Sequence, residues 1–232
     1  MLLSLKTLQG FTLQVKECPI GRLEDFLFDD QKWVTRYAIV DIGPWYGRTE
    51  LLISPISIDR IILPDRTITT HLTRSQVLES PPIDTARPID REVEMKYLDH
   101  YRWPYYWTGE GIWGSAAATL EGDFAFPPRE ESEKASSQNQ LTGEYHLRSI
   151  HETNRYHIKT QDDRRGKVND FLMEEGSWKI RNVVVDIGSW FVSKLVLIPI
   201  EWIKTVDWRK KEIFLSVPWE KIEHREEYRS VA

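Results

Sequence analysis

One stretch of this chain occurs twice. Gly21–Trp45 reads GRLEDFLFDDQKWVTRYAIVDIGPW, and Gly166–Trp190 reads GKVNDFLMEEGSWKIRNVVVDIGSW. The offset is 145 residues (166 − 21), and 11 of the 25 aligned positions are identical. The likeness continues on both sides. Leu147 and Ser149 stand where Leu2 and Ser4 stood, and Tyr156 and Ile158 where Phe11 and Leu13 stood. Past one deleted residue, Leu195–Ile200 answers Leu51–Ile56, and Ile213, Val217 and Ile222 return to the first offset from Ile68, Leu72 and Val77. Such a chain carries one folding unit twice, over 1–80 and 145–232, with 81–144 between them. A unit of that size buries only about 60% of its unfolded surface and is marginal alone. The two copies are therefore expected to pack together about a pseudo-two-fold axis.

Within the first copy the periodicity is that of strands. Phe11, Leu13 and Val15 alternate with polar residues, a period of two. Pro19-Ile20-Gly21 interrupts them, and Arg22–Phe28 and Trp33–Ile42 follow as strands around the turn residues Asp29–Lys32. Glu50–Ile53, Ile58–Leu63 and Thr67–Leu72 complete the set, separated by Pro55 and by Pro64-Asp65-Arg66. Thr73 and Gln76 fit a capping box and predict a short helix ending before Pro81-Pro82. Short strands with turn signals between them predict a small barrel or sandwich.

Composition changes at Pro81. Asp90 is placed to cap a helix running to about His100, with Val93, Tyr97 and Tyr101 on one face and a Glu92–Lys96 pair on its surface. The densest aromatic run follows, Tyr101–Trp113 (YRWPYYWTGEGIW). Glu130–Gln140 has the composition of a disordered linker. The predicted fold is all-β: two small β-barrels in tandem, joined by a partly helical, aromatic-rich and partly disordered linker.

The motifs that carry the repeat resemble the PRC-barrel family. They are a Gly-(Arg/Lys)-(Leu/Val) strand opening, a buried aromatic third strand ending in Asp-Ile-Gly, and a following Leu-Ile-x-Pro-Ile. The layout is also similar to two-copy bacterial PRC-barrel proteins, in which segments like Ser80–Asp84 (SPPID) and Trp103–Trp107 (WPYYW) follow the first copy. The resemblance implies a non-catalytic barrel that serves in assembly through protein–protein contacts. Family members include the cytoplasmic part of the photosynthetic reaction-centre H subunit and the C-terminal domain of a 16S rRNA maturation factor. Two alternatives come with them, a membrane-peripheral accessory of a photosynthetic or electron-transport complex and a ribosome or RNA maturation factor.

Composition narrows these classes. A net charge of −5 argues against a general nucleic-acid binder, which needs a basic face to release counterions. One cysteine, Cys18, allows no internal disulfide and points to a reducing, cytoplasmic setting. The longest apolar run, Leu195–Ile200, is far below a membrane span, while peripheral association stays open. His146, His151 and His157 lack metal-ligand spacing, and no nucleophile–base pair, phosphate loop or cofactor motif is present, so neither enzyme activity nor a cofactor is expected. Protein partners, including a homo-oligomer, are expected instead. The candidate partner-binding residues are Tyr101, Trp103, Tyr105, Tyr106, Trp107 and Trp113, as an exposed patch or as rings packed by the folded linker. Asp41, Gly43, Asp186 and Gly188 are expected to build structural turns, each aspartate accepting backbone N–H groups and each glycine supplying a positive φ. Trp33 and Trp178 are expected in the core, and Arg36 and Arg181 beside acids.

Overall fold

The computed structural model describes residues 1–43, 50–85, 87–108, 111–114, 146–188 and 192–229. The predicted disordered stretch 130–140 lies outside them, as do Trp45 and Trp190. The first copy supplies β1 (Leu2–Ser4), α1 (Leu5–Leu8), β2 (Thr12–Gln14), β3 (Pro19–Asp29), β4 (Val34–Asp41), β5 (Glu50–Ile53), β6 (Ile58–Ile62), β7 (Thr67–Thr70) and α2 (Arg74–Leu78). The segment between the copies supplies α3 (Arg91–Tyr101). The second copy supplies β8 (Leu147–Ser149), α4 (Ile150–Thr153), β9 (His157–Lys159), β10 (Arg165–Glu174), β11 (Ile180–Asp186), β12 (Leu195–Pro199), β13 (Ile203–Asp207), β14 (Glu212–Leu215) and α5 (Trp219–Glu223).

These strands form two sheets of one design. One runs β5-β4-β3-β2-β7-β6 and the other β12-β11-β10-β9-β14-β13. Even the unusual parallel contact repeats: Thr12 pairs with Thr67 and His157 with Glu212, each at the same offset. The fold is thus the predicted one, mostly strand, in two barrel-like sheets. Alternation explains the burial. Phe11, Leu13 and Val15 turn inward, as do Tyr156 and Ile158. The ends of β4 and β11 are covered on both faces: Ala38, Ile39 and Val40 are all buried, as are Val183, Val184 and Val185. Such runs read as continuous apolar stretches rather than alternating ones.

Packing does not divide the chain at the repeat boundaries. Unit 1 comprises Met1–Gly10, Glu24–Ala38 and Arg148–Ala232; unit 2 comprises Phe11–Leu23 and Ile39–Leu147. Strands β3 and β4 contribute residues to both. The reason lies in two short elements that the strand periodicity missed. Among the described residues β1 does not pair within its own copy. It runs antiparallel to β10 of the second copy, with Leu2 opposite Glu174 and Ser4 opposite Leu172. Its counterpart β8 pairs with β3 of the first copy. Each copy has given its leading strand and the one-turn helix behind it to the other.

The helix signals between the copies behave as their chemistry dictates. Thr73 accepts from the Gln76 N–H while the Gln76 side chain accepts from the Thr73 N–H, a complete capping box. Asp90 caps α3 by accepting from Val93 N–H, and Arg102 ends it in the left-handed region. Lys96 donates to Glu92 at 2.8 Å.

Candidate functional site

The arm exchange inside unit 1 is built from a few polar groups at matching positions. Asp170 accepts from the Ser4 hydroxyl at 2.5 Å, from Lys6 N–H at 3.0 Å and from Phe171 N–H at 2.7 Å. Asp25 accepts from the Ser149 hydroxyl at 2.5 Å, from His151 N–H at 2.9 Å and from Phe26 N–H at 2.8 Å. Each serine also caps its own helix turn, Ser4 accepting from Thr7 N–H and Ser149 from Glu152 N–H. One carboxylate therefore holds both the arm and the start of its helix. Burial pushes both carboxyls above the ordinary aspartate value, and the donors around them offset only part of it. Apolar anchors sit beside the polar lock: Leu3, Leu5 and Leu8 on one arm and Ile150 on the other are buried.

The two copies also meet at their β-hairpin ends. Val34 and Lys179 form an antiparallel bridge between the copies, flanked by Thr35 N–H to Trp178 C=O at 2.9 Å and Ile180 N–H to Trp33 C=O at 2.8 Å. Phe26 lies against Trp178 with ring centroids 6.3 Å apart, and Phe171 against Trp33 at 6.4 Å. Both tryptophans were expected in strands, yet both sit in the left-handed region, at φ 52° and 59°. That backbone is costly for a bulky side chain. Its use twice lets each hairpin turn its indole onto the other copy. Trp178 is buried as expected, whereas Trp33 is only half-buried.

Arg36 and Arg181 do meet acids. Arg36 bonds Asp29 at 3.0 Å, with side-chain exposures of 0% and 8%; Arg181 bonds Glu174 at 2.6 Å, with 42% and 39%. The same repeated pair is interior in one copy and wet in the other. A further cation joins the junction: Arg148 bonds Asp30 at 2.8 Å and stacks over Trp208, whose ring also faces Phe28 and Tyr156.

The predicted turns are present, with one correction. Asp41 accepts from Gly43 N–H at 2.8 Å and Asp186 from Gly188 N–H at 2.9 Å. Gly43 has a φ of 74°, but Gly188 does not adopt a positive φ. Its glycine is required by close approach: a Cβ there would run into the Val192 carbonyl and lie 2.7 Å from Lys194 N. Burial alone would push Asp186 up. The Ser193 hydroxyl and the N–H groups of Gly188 and Lys194 outweigh it and hold the carboxyl below its ordinary value.

The aromatic residues of the segment between the copies are not the exposed patch that one reading expects. In unit 2, Tyr101, Trp103, Tyr105, Tyr106 and Trp113 are buried, and Trp107 is half-buried. The rings stack on one another, Tyr101 on Trp103 at 4.1 Å and Tyr105 on Trp107 at 5.0 Å. Arg91 lies 3.9 Å over Trp107, and the buried Glu94 accepts from Tyr106 and pairs with Arg91. Glu94 and Arg91 thus tie α3 to these rings. Among the described residues no group of His, Cys, Asp and Glu is arranged to hold a metal ion, and no helix is long and apolar enough to cross a membrane.

Sequence reasoning missed Ser4, Asp25, Ser149 and Asp170. A signal existed, because each repeats at the offset of 145 and each serine starts a helical turn. A carboxylate followed by an aromatic residue inside a strand gives no hint that its partner lies in the other copy. No curated protein matches the chain. Residues 158–222, which run from β9 into α5, match the PRC-barrel domain family, and that domain suggests a role in protein interaction or assembly.

Proposed function

We propose that this chain is a non-catalytic adaptor that works in assembly through protein–protein contacts in the bacterial cytoplasm. The observation that carries the reading is the PRC-barrel match over 158–222. It is supported by the first copy, whose sheet has the same strand order and the same parallel contact, and which we read as a second PRC-barrel. Two copies clasped in unit 1 by buried carboxylates make a preorganised scaffold, and preorganisation favours binding by reducing the ordering cost.

The test is affinity capture of the tagged full chain from its native cells, with soluble and membrane fractions analysed separately by mass spectrometry. A defined set of protein partners, recovered stoichiometrically, supports the adaptor. Members of a membrane-bound photosynthetic or electron-transport complex would make it a peripheral accessory of the kind the H-subunit likeness implies. Ribosomal proteins released by salt would make it a maturation factor. Recovery of the chain alone from both fractions would refute an assembly role.

A further inference from the structure

The polar groups of the slot that receives the first arm lie on the second copy. They are the backbone edge of β10 at Leu172–Glu174, the Glu175 N–H that donates to Met1 C=O at 2.8 Å, and the Asp170 carboxylate. The arm is recognised by a simple pattern, Leu-x-Ser followed by Leu or Ile, which both arms share as Leu2–Leu5 and Leu147–Ile150. The arm leaves its own copy at Gly10, the last residue of unit 1 on this segment, with a φ of 78°. The equivalent position before the second copy's β9 is Arg155, which has no positive φ. The first arm alone therefore hangs on a hinge that an L side chain resists. Its outer end is also the less buried, with Met1 69% and Leu2 47% exposed.

We propose that Met1–Gly10 is an exchangeable arm, and that the slot on β10 also takes the arm of a second copy of this chain, producing a dimer. The arm of a neighbouring chain makes the same hydrogen bonds to Asp170 and β10 and buries the same Leu3, Leu5 and Leu8. Closed and exchanged forms then differ mainly in effective concentration, which for a short tether is of millimolar order. The chain is a closed monomer when dilute and exchanges arms where it is concentrated. A β-branched residue at Gly10 resists the positive φ and shifts the balance toward exchange.

Two single-cysteine chains read this directly, both carrying Cys18→Ser. One has Leu2→Cys and the other Glu174→Cys. Positions 2 and 174 face each other as a non-hydrogen-bonded pair, the geometry in which side chains approach closest. Mixed at about 0.5 mM, near the effective concentration of a short tether, and oxidised, they should give a mixed disulfide dimer. Its share should rise with concentration and exceed by about tenfold that of a control pairing Glu174→Cys with Val192→Cys, another well-exposed position. Adding Gly10→Val should raise the share several-fold further. A yield equal to the control, or no mixed dimer at the highest concentration, overturns the proposal. The chains with Gly10 intact decide it even if Gly10→Val does not fold.

Discussion

Replacing Asp170 by alanine removes the acceptor for three donors at once: the Ser4 hydroxyl, Lys6 N–H and Phe171 N–H. The residue is 6% exposed, so water does not replace it freely. Hydrogen bonds to a charged group contribute about 1.5–3 kcal/mol each, and orphaned buried donors cost about 1–3 kcal/mol. Burial of the carboxylate, visible in its raised pKa, offsets part of that sum. Asp170→Ala should therefore destabilise by roughly 2–4 kcal/mol and Ser4→Ala, which also loses a helix cap, by about 1–2 kcal/mol. Because they share one bond, the double variant should fall short of additivity by about 1–2 kcal/mol. Urea unfolding followed by tryptophan fluorescence measures all four corners of the cycle. The pH dependence has a definite sign. A carboxyl whose folded-state pKa is raised contributes stability that is fully present below its unfolded value, about 3.9, and is lost as pH rises through the folded value. The stability difference between the wild type and Asp170→Asn should therefore be larger near that unfolded value than at neutrality. A cost for Asp170→Ala below about 0.5 kcal/mol, well under one charged hydrogen bond, or a cycle with no coupling, would refute the clasp.

Three further outcomes follow from burial and backbone. Arg36→Ala leaves Asp29 unpaired in the interior and should cost about 3–5 kcal/mol, whereas Arg181→Ala, at a wet pair, should cost about 1 kcal/mol or less in the same unfolding assay. Gly43→Val and Gly188→Val should each destabilise by more than about 1 kcal/mol, the first through its positive φ and the second through collision; thermal melting distinguishes them, since Gly188→Ala should be nearly as damaging as Gly188→Val. Trp178→Ala should cost about 3–5 kcal/mol, and Trp33→Ala less, because its indole is half-exposed.

What could be read from the chain and what could not separate along a physical line. Strands, turns and caps are local: the alternation of Phe11, Leu13 and Val15, the Thr73–Gln76 box and the Asp90 cap each place an element by its own residues. The repeat adds a global statement, one sheet order used twice. The exchanged arms are not local. Leu2–Ser4 looks the same whether it pairs in its own copy or in the other, because a strand edge offers the same N–H and C=O groups in both. Gly188 is a case where the repeat misleads: its partner Gly43 adopts a positive φ, whereas at Gly188 close approach of Val192 and Lys194 replaces dihedral freedom as the reason for glycine. The aromatic segment was legible as important, with the exposed and the packed reading both open. Ring density signals burial and interfaces alike, and the partners that decided it, Arg91 and Glu94, stand 12 (106 − 94) to 16 (107 − 91) residues before the rings they meet, Tyr106 and Trp107.

The most direct test of the reciprocal clasp is a disulfide across the bridge between the two copies. Positions 34 and 179 form a non-hydrogen-bonded antiparallel pair, so their side chains lie close enough to bridge. In the chain carrying Val34→Cys, Lys179→Cys and Cys18→Ser, dilute oxidation should give a near-quantitative intrachain link closing a loop of 145 residues (179 − 34). By chain entropy alone, a loop of that length should stabilise the fold by about 5 kcal/mol. Failure to form the link in folded monomer, or its formation only between chains, would contradict the clasp.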